Sequence, residues 1–230
     1  MRLSIIIPTL NEAATVTASL EAVSGLRAAG HEVVVADGGS DDGTPGRAAA
    51  AADRVVEAPR GRALQMNAGA AVATGEVLLF LHADTVLPEG AAGLVAHAVD
   101  GGRKWGRFDV RLSGRHPLLR VVERMMNVRS CWTGIATGDQ AIFVTRQAWE
   151  RVGGFPEIAL MEDIALSRAL KRCCGRPACL RPSVVTSSRR WEEGGVVRTI
   201  LLMWRLRLAY FFGADPEALA EMYQGGRKRA

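Results

Sequence analysis

Up to about residue 100 the chain alternates between short apolar runs and longer segments in which apolar and polar residues mix. Four short runs have the length and composition of buried strands: residues 3–7, 32–36, 53–58 and 76–81. The segments between them read as helices, and the first ends on Gly30, a residue favoured after a helix. These predicted helices are residues 12–30, 43–52 and 63–73. The alternation predicts βαβ units and a mainly parallel sheet, and so an α/β fold.

After about residue 100 the pattern changes. Residues 105–112 alternate like a half-exposed, antiparallel strand. Residues 117–129 predict a helix whose apolar face, which we interpret as a core face, comprises Leu118, Val122, Met125 and Met126. One more strand and two more helices are predicted at 140–145, 161–173 and 196–213. The chain shows no repeat, low-complexity tract or linker, so we expect a single domain over residues 1–230.

The composition of the chain also bears on where in the cell the protein is expected. The chain has 230 residues, 48% of them hydrophobic, which is enough for one sizeable core. No signal peptide is recognisable, and the apolar segment 199–213 is interrupted by Arg205 and Arg207, so it falls short of a transmembrane span. The four cysteines show no CxxC spacing, which favours reduced, structural cysteines. We therefore expect a cytoplasmic protein, with peripheral contact to the inner membrane face left open.

The net charge of +5 is unevenly distributed. Residues 171–230 hold 12 basic and 5 acidic side chains, a net charge of +7, whereas residues 1–170 hold 17 and 19, a net charge of −2. A basic C-terminal quarter suits a nucleic acid, an anionic membrane surface or a phosphorylated substrate. Aromatic residues make up only 6% of the chain and do not interleave with the basic ones, so no nucleic-acid partner is expected.

The loops after the predicted strands exclude two common phosphate-binding motifs. The first turn, "PTLNEAAT", contains no glycine and cannot form a GxGxxG dinucleotide turn, and no GxxxxGK[ST] motif occurs. The second turn carries Asp37, Asp41 and Asp42, which would repel a phosphate unless a cation intervened. The run "LLFLHADT" ends its strand on the carboxylate of Asp84. Such loops offer acceptors for base N–H groups, ribose hydroxyls and a metal ion.

Four motifs, in order, carry a family resemblance. They are "SIIIPTLNEAATV", "VVVADGGSDDGT", "GRALQMNAGAAVATGEVLLFLHADT" and "GGFPEIALMEDIALSRAL". Together they resemble the motif series of family 2 glycosyltransferases with the GT-A fold, over roughly residues 3–175. The chain is also similar to the small soluble branch of that family found near radical-SAM "selenodomain" proteins. The resemblance implies a nucleotide-binding half at 1–100 and an acceptor-binding half, with the C-terminal helices, at 101–230.

The resemblance implies a role for each matching position on the nucleotide side. Pro8, Thr9 and Glu12 match the first nucleotide-contacting loop of the family. Asp37 matches the carboxylate that receives the base N–H or the ribose, and Arg62 matches a basic residue near the base and phosphates.

On the reaction side, Asp84 matches the last acidic residue of the DxD motif, which binds Mn²⁺ or Mg²⁺ at the diphosphate. Asp163 matches the catalytic base, and we give the neighbouring Glu162 a supporting role. Arg189 and Arg190 are candidates to neutralise part of the leaving diphosphate. The expected reaction is inverting transfer of a sugar from a nucleotide diphosphate, with UDP preferred, to an unknown small or lipid-linked acceptor.

The sequence departs from the family pattern in two places. His82 stands where DxD has its first aspartate, and no histidine follows His116 to serve as the later metal ligand of many relatives. Weak metal binding is therefore expected, and His82 is interpreted as a packing or supporting residue more readily than as a ligand. Two other functions stay open: a nucleotidyltransferase, and a non-catalytic protein that binds sugar nucleotides.

Several of these residues also have a purely structural explanation. Asp84 can be a turn residue, and Glu162 and Asp163 can be first-turn acids favoured by the helix dipole. Asp41 and Asp42 read as turn or helix-capping residues. The arginine-studded helix at 196–212 is compatible with core packing, with a homodimer contact or with a membrane surface.

Overall fold

The computed structural model describes residues 1–225, and within that range the strands form one sheet. Its strands are β1 Leu3–Thr9, β2 Glu32–Asp37, β3 Arg54–Glu57, β4 Val77–Phe80, β5 Thr85–Val86, β6 Trp105–Leu112, β7 Phe143–Thr145 and β8 Ala178–Thr186. The helices are α1 Val16–Ala28, α2 Thr44–Ala49, α3 Arg62–Val72, α4 Ala91–Asp100, α5 Pro117–Thr133, α6 Arg146–Val152, α7 Glu162–Cys174, α8 Arg189–Glu193, α9 Val196–Phe211 and α10 Pro216–Gly225. A short 3-10 helix occupies Gly138–Gln140.

The strand order is β3-β2-β1-β4-β7-β6-β8-β5. The first four strands in this order pair in parallel, as the βαβ pattern predicted. Beyond β4 the sheet is mixed, because β4–β7, β7–β6 and β8–β5 are antiparallel while β6–β8 is parallel. The carboxyl ends of β1, β2 and β4 therefore meet at one edge, where open α/β sheets place their ligands.

The alternation of side chains in the parallel strands divides the core between the two sheet faces. Ile5 and Ile7 of β1 pack on one face with α1, α4 and α5, and Ile6 packs on the other with α3, α6 and α7. Both faces are covered, which explains why these strands read as continuous apolar runs. A third, smaller cluster joins Ile164 of α7 to Leu206 of α9 and Leu219 of α10.

Two predictions about the second half were wrong in detail. β6 is not half-exposed, because it lies inside the sheet and even Arg107 is buried, ion-paired with Asp109 and donating to the Asn127 carbonyl. It is antiparallel to β7, as predicted, but parallel to β8. The core face of α5 is rotated from the predicted one. Leu119, Val122 and Met126 are buried, whereas Leu118 and Met125 are exposed.

The prediction of reduced cysteines was wrong for two of the four. Cys131 and Cys179 form a disulfide, with their Cα atoms 5.8 Å apart. Their spacing gave no signal because 48 residues separate them, and only the packing of the end of α5 beside β8 brings them together. Cys173 and Cys174 are free. The pairing removes the argument from reduced cysteines on which the cytoplasmic location partly rested.

None of the helices described between residues 1 and 225 is long and apolar enough to span a bilayer.

Because Cys131 and Cys179 are paired, alkylation of the unfolded, unreduced protein should label two cysteines, Cys173 and Cys174, as read by mass spectrometry. Cys131→Ser should lower the free energy of unfolding by about 2–4 kcal/mol, since the bridge closes a long loop in the unfolded chain. Cys173→Ser, at an exposed free thiol, serves as the matched control and should have little effect. Labelling of all four cysteines without reductant would contradict the pairing.

Candidate active site

Asp37 organises the loops at the ends of β1 and β2. It is only 3% exposed, and it lies beside Thr9 in the parallel register. One carboxylate oxygen accepts hydrogen bonds from the hydroxyls of Thr9 (3.0 Å) and Ser40 (2.6 Å). The other accepts from the backbone N–H groups of Gly39 (3.0 Å) and Ser40 (2.8 Å). Asp37 thus fixes the glycine-rich loop, and a nucleotide group would reach it by displacing one of these local donors.

Gln65 of α3 is a site residue that the sequence analysis missed. Its buried side-chain amide donates to the backbone carbonyls of Thr9 (2.6 Å) and Ala36 (3.1 Å), so it ties the ends of β1 and β2 together. It also explains why glycine occupies position 38, because a Cβ there would lie 3.0 Å from the Gln65 side chain. A polar residue inside the otherwise apolar face of a predicted helix was the available signal.

Hydrogen bonds that involve Glu12 and Asp42 connect the first loop to the second. The backbone N–H of Glu12 donates to the Thr44 hydroxyl (2.9 Å), and its carboxylate accepts from the Thr15 hydroxyl (2.6 Å). Asp42 accepts from the backbone N–H of Ala13 (2.9 Å). A hydrogen bond from the Thr44 side chain, with the one from Ala13, lowers the pKa of Asp42 below its usual value. Asp42 therefore has the turn role that the sequence suggested, whereas the N-cap position of α2 is occupied by Gly43, without a side-chain cap.

Pro8 continues β1 into this edge and pairs with Ala36 of β2. Pro8, Thr9, Glu12 and Asp37 thus form one continuous rim around the first loop. The rim does not include Asp84, which follows β4, the neighbour of β1 on its other side.

Asp84 lies in the turn between β4 and β5 and is exposed. One of its carboxylate oxygens accepts long hydrogen bonds, each of 3.4 Å, from the hydroxyls of Thr85 and Thr186. The two threonines face each other across the β5–β8 pairing and bond to one another at 2.9 Å. The pairing of β5 with β8 therefore sets the position of Asp84, while its carboxylate stays accessible.

His82 faces Asp139. Its Nδ1 lies 3.5 Å from the Asp139 carboxylate, and its ring packs under Gly138, where a Cβ would come within 2.7 Å. Desolvation raises the pKa of Asp139, but the hydrogen bond and charge of His82, aided by Arg62 and Arg190, lower it overall to about 2. Asp139 is a second residue that the sequence analysis missed. Its only signal was the polar run "TGDQ" just before the 140–145 strand prediction.

Glu162 and Asp163 open α7 after Met161, whose positive φ of 71° turns the chain into the helix. Asp163 accepts from the backbone N–H of Gly138 (2.9 Å) and from that of Ile164 (2.7 Å). Glu162 is 6% exposed. Burial, and then the charge of Asp163, raise the pKa of Glu162 to about 7 against the opposing charge of Arg62. Glu162 therefore retains its proton to a higher pH than an ordinary glutamate does.

Arginines approach this group of carboxylates from three elements, Arg62 and Arg129 acting on Glu162 and Asp163, and Arg190 acting on Asp139. Arg62 is the exposed first residue of α3, and Arg190 of α8 stacks on the Tyr223 ring with its guanidinium carbon 3.9 Å from the centroid. Arg129 of α5 has two buried side-chain nitrogens, Nε and Nη2, without a hydrogen-bond partner among residues 1–225. Burial and the charge of Arg207 lower the pKa of Arg129 to about 10, while Asp163 opposes the shift. The sequence analysis did not single out Arg129 or Arg207 for the site.

The structure thus brings part of the predicted site together. Arg62, Arg190, Glu162 and Asp163 share one electrostatic network through His82, Asp139 and Gly138. The rim around the first loop joins this network through α3, which begins at Arg62 and carries Gln65 one turn later. Arg189 is exposed beside Arg190 at the start of α8.

A divalent cation fits this edge only with help from the substrate. Within residues 1–225 no group of three His, Cys, Asp or Glu side chains is placed to hold a metal ion. Asp84 offers an accessible hard oxygen ligand, whereas His82 directs Nδ1 to Asp139. Mn²⁺ or Mg²⁺ bound by one carboxylate would complete its shell with diphosphate oxygens and water, as Mg²⁺ does at phosphate sites. The residues present fit such a cation.

Comparison with known proteins agrees with this geometry. The glycosyl transferase family 2 model matches residues 4–143. Among curated proteins, none matches the sequence significantly. The mannosyltransferase PcManGT from Pyrobaculum calidifontis, solved with GDP-Man and Mn²⁺, superposes with a TM-score of 0.65 at 23% identity, over 98% of this chain and 70% of that one. Glucosyl-3-phosphoglycerate synthase from Mycobacterium tuberculosis, with Mn²⁺, UDP and phosphoglyceric acid, gives 0.64 at 19% identity, over 93% and 79%.

S. aureus TarS 1-349 in complex with UDP-GlcNAc gives a TM-score of 0.64 at 19% identity, over 81% of this chain. This chain spans only 58% of the length of that structure. At these identities the three neighbours establish the fold, and the narrower resemblance to the selenodomain-associated branch stays a prediction. Because the family model covers more than half of the chain, the chain belongs to glycosyltransferase family 2.

Proposed function

We propose that this glycosyltransferase moves a sugar from UDP to an acceptor hydroxyl, with inversion at the anomeric carbon and with help from a divalent cation. The observation that supports it best is the link from the end of β4 to α7. His82 packs under Gly138, and the backbone N–H of Gly138 holds Asp163. The proposed base and the proposed metal ligand are thereby anchored at the same sheet edge.

The nucleotide half is proposed to be residues 1–100. Its rim of Pro8, Thr9, Glu12 and Asp37 offers mainly acceptors, which suit base N–H groups and ribose hydroxyls. The tight, glycine-poor first loop favours a compact pyrimidine, so we propose UDP. The solved neighbours include complexes with UDP and with GDP-Man, and both donor types occur on this fold.

In the proposed reaction, the acceptor hydroxyl attacks the anomeric carbon while Asp163 takes its proton. The bond from the anomeric carbon to the diphosphate oxygen breaks as the new bond forms. One in-line displacement inverts the anomeric configuration and needs no carboxylate nucleophile. Arg62 and Arg190 face the negative charge that develops on the leaving diphosphate. A cation at Asp84, when bound, supplies further neutralisation of that charge.

Glu162 is proposed to support the reaction without being its base. Burial beside Asp163 raises its pKa to about 7, so near neutral pH it holds a proton for much of the time. Asp163 instead accepts hydrogen bonds from two backbone N–H groups, which fix the position of its carboxylate. We therefore assign the proton-accepting role to Asp163, and Glu162 can donate a hydrogen bond to the acceptor or to its neighbour.

Residues 101–225 are proposed to form the acceptor side. Arg129 of α5 interacts electrostatically with Asp163, and its other charged neighbour is Arg207 of α9, so an acceptor approaching Asp163 would meet a positive surface. This arrangement suits a small or a lipid-linked acceptor.

Asp84→Ala should abolish the strengthening of UDP binding by Mn²⁺, which we expect to be at least about tenfold in the wild type. The fold should persist, because the Asp84 side chain is exposed. Isothermal calorimetry with and without Mn²⁺ measures the effect, and Glu89→Ala, at another exposed carboxylate, is the control. If Asp84→Ala keeps the full metal effect, Asp84 is only a turn residue.

Asp163→Asn should reduce turnover by about 10²–10⁴-fold with donor affinity nearly unchanged, because the amide cannot accept the proton. Glu162→Gln should reduce turnover by a smaller factor. Until an acceptor is known, donor hydrolysis is the assay, with water as a poor nucleophile. If Asp163→Asn keeps near-normal turnover and Glu162→Gln is inactive, then Glu162 is the base and Asp163 is the supporting residue. Donor binding with no turnover by the wild type, under any acceptor tried, would favour a non-catalytic binder.

The raised pKa of Glu162 predicts a pH effect on stability in the absence of metal. Between pH 4.5, its ordinary pKa, and about 7, the folded protein retains a proton that the unfolded chain releases, so stability should fall as pH rises. Glu162→Gln removes the cost of ionising this buried carboxyl. Above neutral pH its free energy of unfolding should therefore exceed that of the wild type by on the order of 1–3 kcal/mol, and in acid the difference should be smaller. Urea denaturation at several pH values tests it. Exposed Glu157→Gln is the control, and an unchanged pH profile in Glu162→Gln would refute the assignment.

A further inference from the structure

Helix α9 exposes a continuous apolar stripe. Its members recur every three or four residues along one side, and each is more than half exposed: Val197 57%, Leu201 64%, Trp204 61%, Leu208 60% and Phe211 69%. Phe212, just after the helix, is 77% exposed. The opposite side of α9 is used for packing, through buried Thr199 and Leu206. The stripe is thus additional to the core contacts of the helix.

Helix α5 exposes a second stripe with the same spacing. It comprises Leu118 37%, Val121 53%, Met125 48%, Val128 62% and Trp132 79%. The buried side of α5 carries Leu119, Val122 and Met126, so this stripe is again an outward surface.

The two stripes lie on neighbouring helices that run in the same direction. Leu118 and Val197, near the starts of α5 and α9, line one groove together with Trp191. Further along, the charges of Arg129 on α5 and Arg207 on α9 act on each other. We call the two stripes together the α5–α9 face.

The charges on these two helices are almost all positive. Their arginines are Arg120, Arg124, Arg129, Arg198, Arg205 and Arg207, and their single acid is Glu123. Glu123 is buried and paired with Arg120 at 3.0 Å. Arg124 and Arg205 are exposed beside the stripes. Glu192 lines the groove at the starting end, in α8 beside Arg189 and Arg190, and the acids of α10 lie on a helix that packs against the opposite, Leu206 side of α9.

We propose that the α5–α9 face docks on the surface of an anionic phospholipid bilayer. Exposed Trp, Phe and Leu side chains flanked by arginines are the composition of helices that lie in the membrane interface. Anionic headgroups complement every exposed arginine of the face. A second copy of the chain, joined through the same face about a two-fold axis, would instead set arginines against arginines. This inference goes beyond the proposed function and does not depend on it.

The test is flotation of the full chain with vesicles, without donor or acceptor. Binding is expected to vesicles of phosphatidylcholine mixed with phosphatidylglycerol, and much less to phosphatidylcholine alone. Leu201→Ser combined with Trp204→Ser should weaken binding to the mixed vesicles by about tenfold or more, because two large exposed groups no longer enter the interface. Val86→Ser, at a 49% exposed apolar residue outside the face, should bind like the wild type.

The charge component is tested by Arg124→Gln combined with Arg205→Gln. This variant should lose affinity for the mixed vesicles by about fivefold for each arginine, and its residual binding should depend less on salt. The matched control is Arg47→Gln with Arg151→Gln, two exposed arginines elsewhere. Absence of wild-type binding to the mixed vesicles overturns the proposal, as does equal binding by all variants. A solution dimer that Leu201→Ser with Trp204→Ser dissociates, seen by sedimentation, also overturns it and assigns the face to a second copy.

Discussion

The arrangement of the candidate site depends on the close contact at Gly138. This residue lies between His82, which follows β4, and α7, which carries the proposed base. Its backbone N–H donates to Asp163, and its Cα packs over the His82 ring so closely that a Cβ would lie 2.7 Å away. A larger residue would therefore require the His82 ring to leave its position beside Asp139. The absence of one side chain thus lets His82 and Asp163 contact the same residue.

The parallel half of the fold could be predicted from the sequence because its signal is local. Buried strands such as β1 and β2 are continuous apolar runs, and the helices between them begin and end within a few residues of their predicted limits. The second half is harder. β5 has only two residues, and β8 contains Arg181 and Pro182, which break the strand pattern. Those two residues fall at a bulge, where the register with β6 shifts between Phe108 and Asp109, so only the partner strand explains them.

The candidate site divides in a similar way. Motif resemblance could single out Asp37, Asp84 and Asp163 as candidates because each follows a recognisable strand or opens a recognisable helix. It could not identify Gln65 or Arg129, whose importance arises from contacts with residues distant along the chain. Nor does a sequence pattern distinguish Glu162 from its neighbour Asp163. That difference is one of environment, since a buried carboxyl beside a second carboxylate is costly to ionise.

The uneven charge of the chain acquires a physical explanation from the fold. The mainly acidic first part supplies Asp139, while the basic last quarter supplies Arg190, whose charge acts on that carboxylate. Opposite charges from distant parts of the chain thus attract each other at the candidate site. Helix α9 presents Arg207 toward Arg129 of α5 and leaves Trp204 and Leu208 outward. Because one helix carries both, a surface that binds the outer side of α9 also restricts the movement of Arg207, one helix diameter, roughly 10 Å, away.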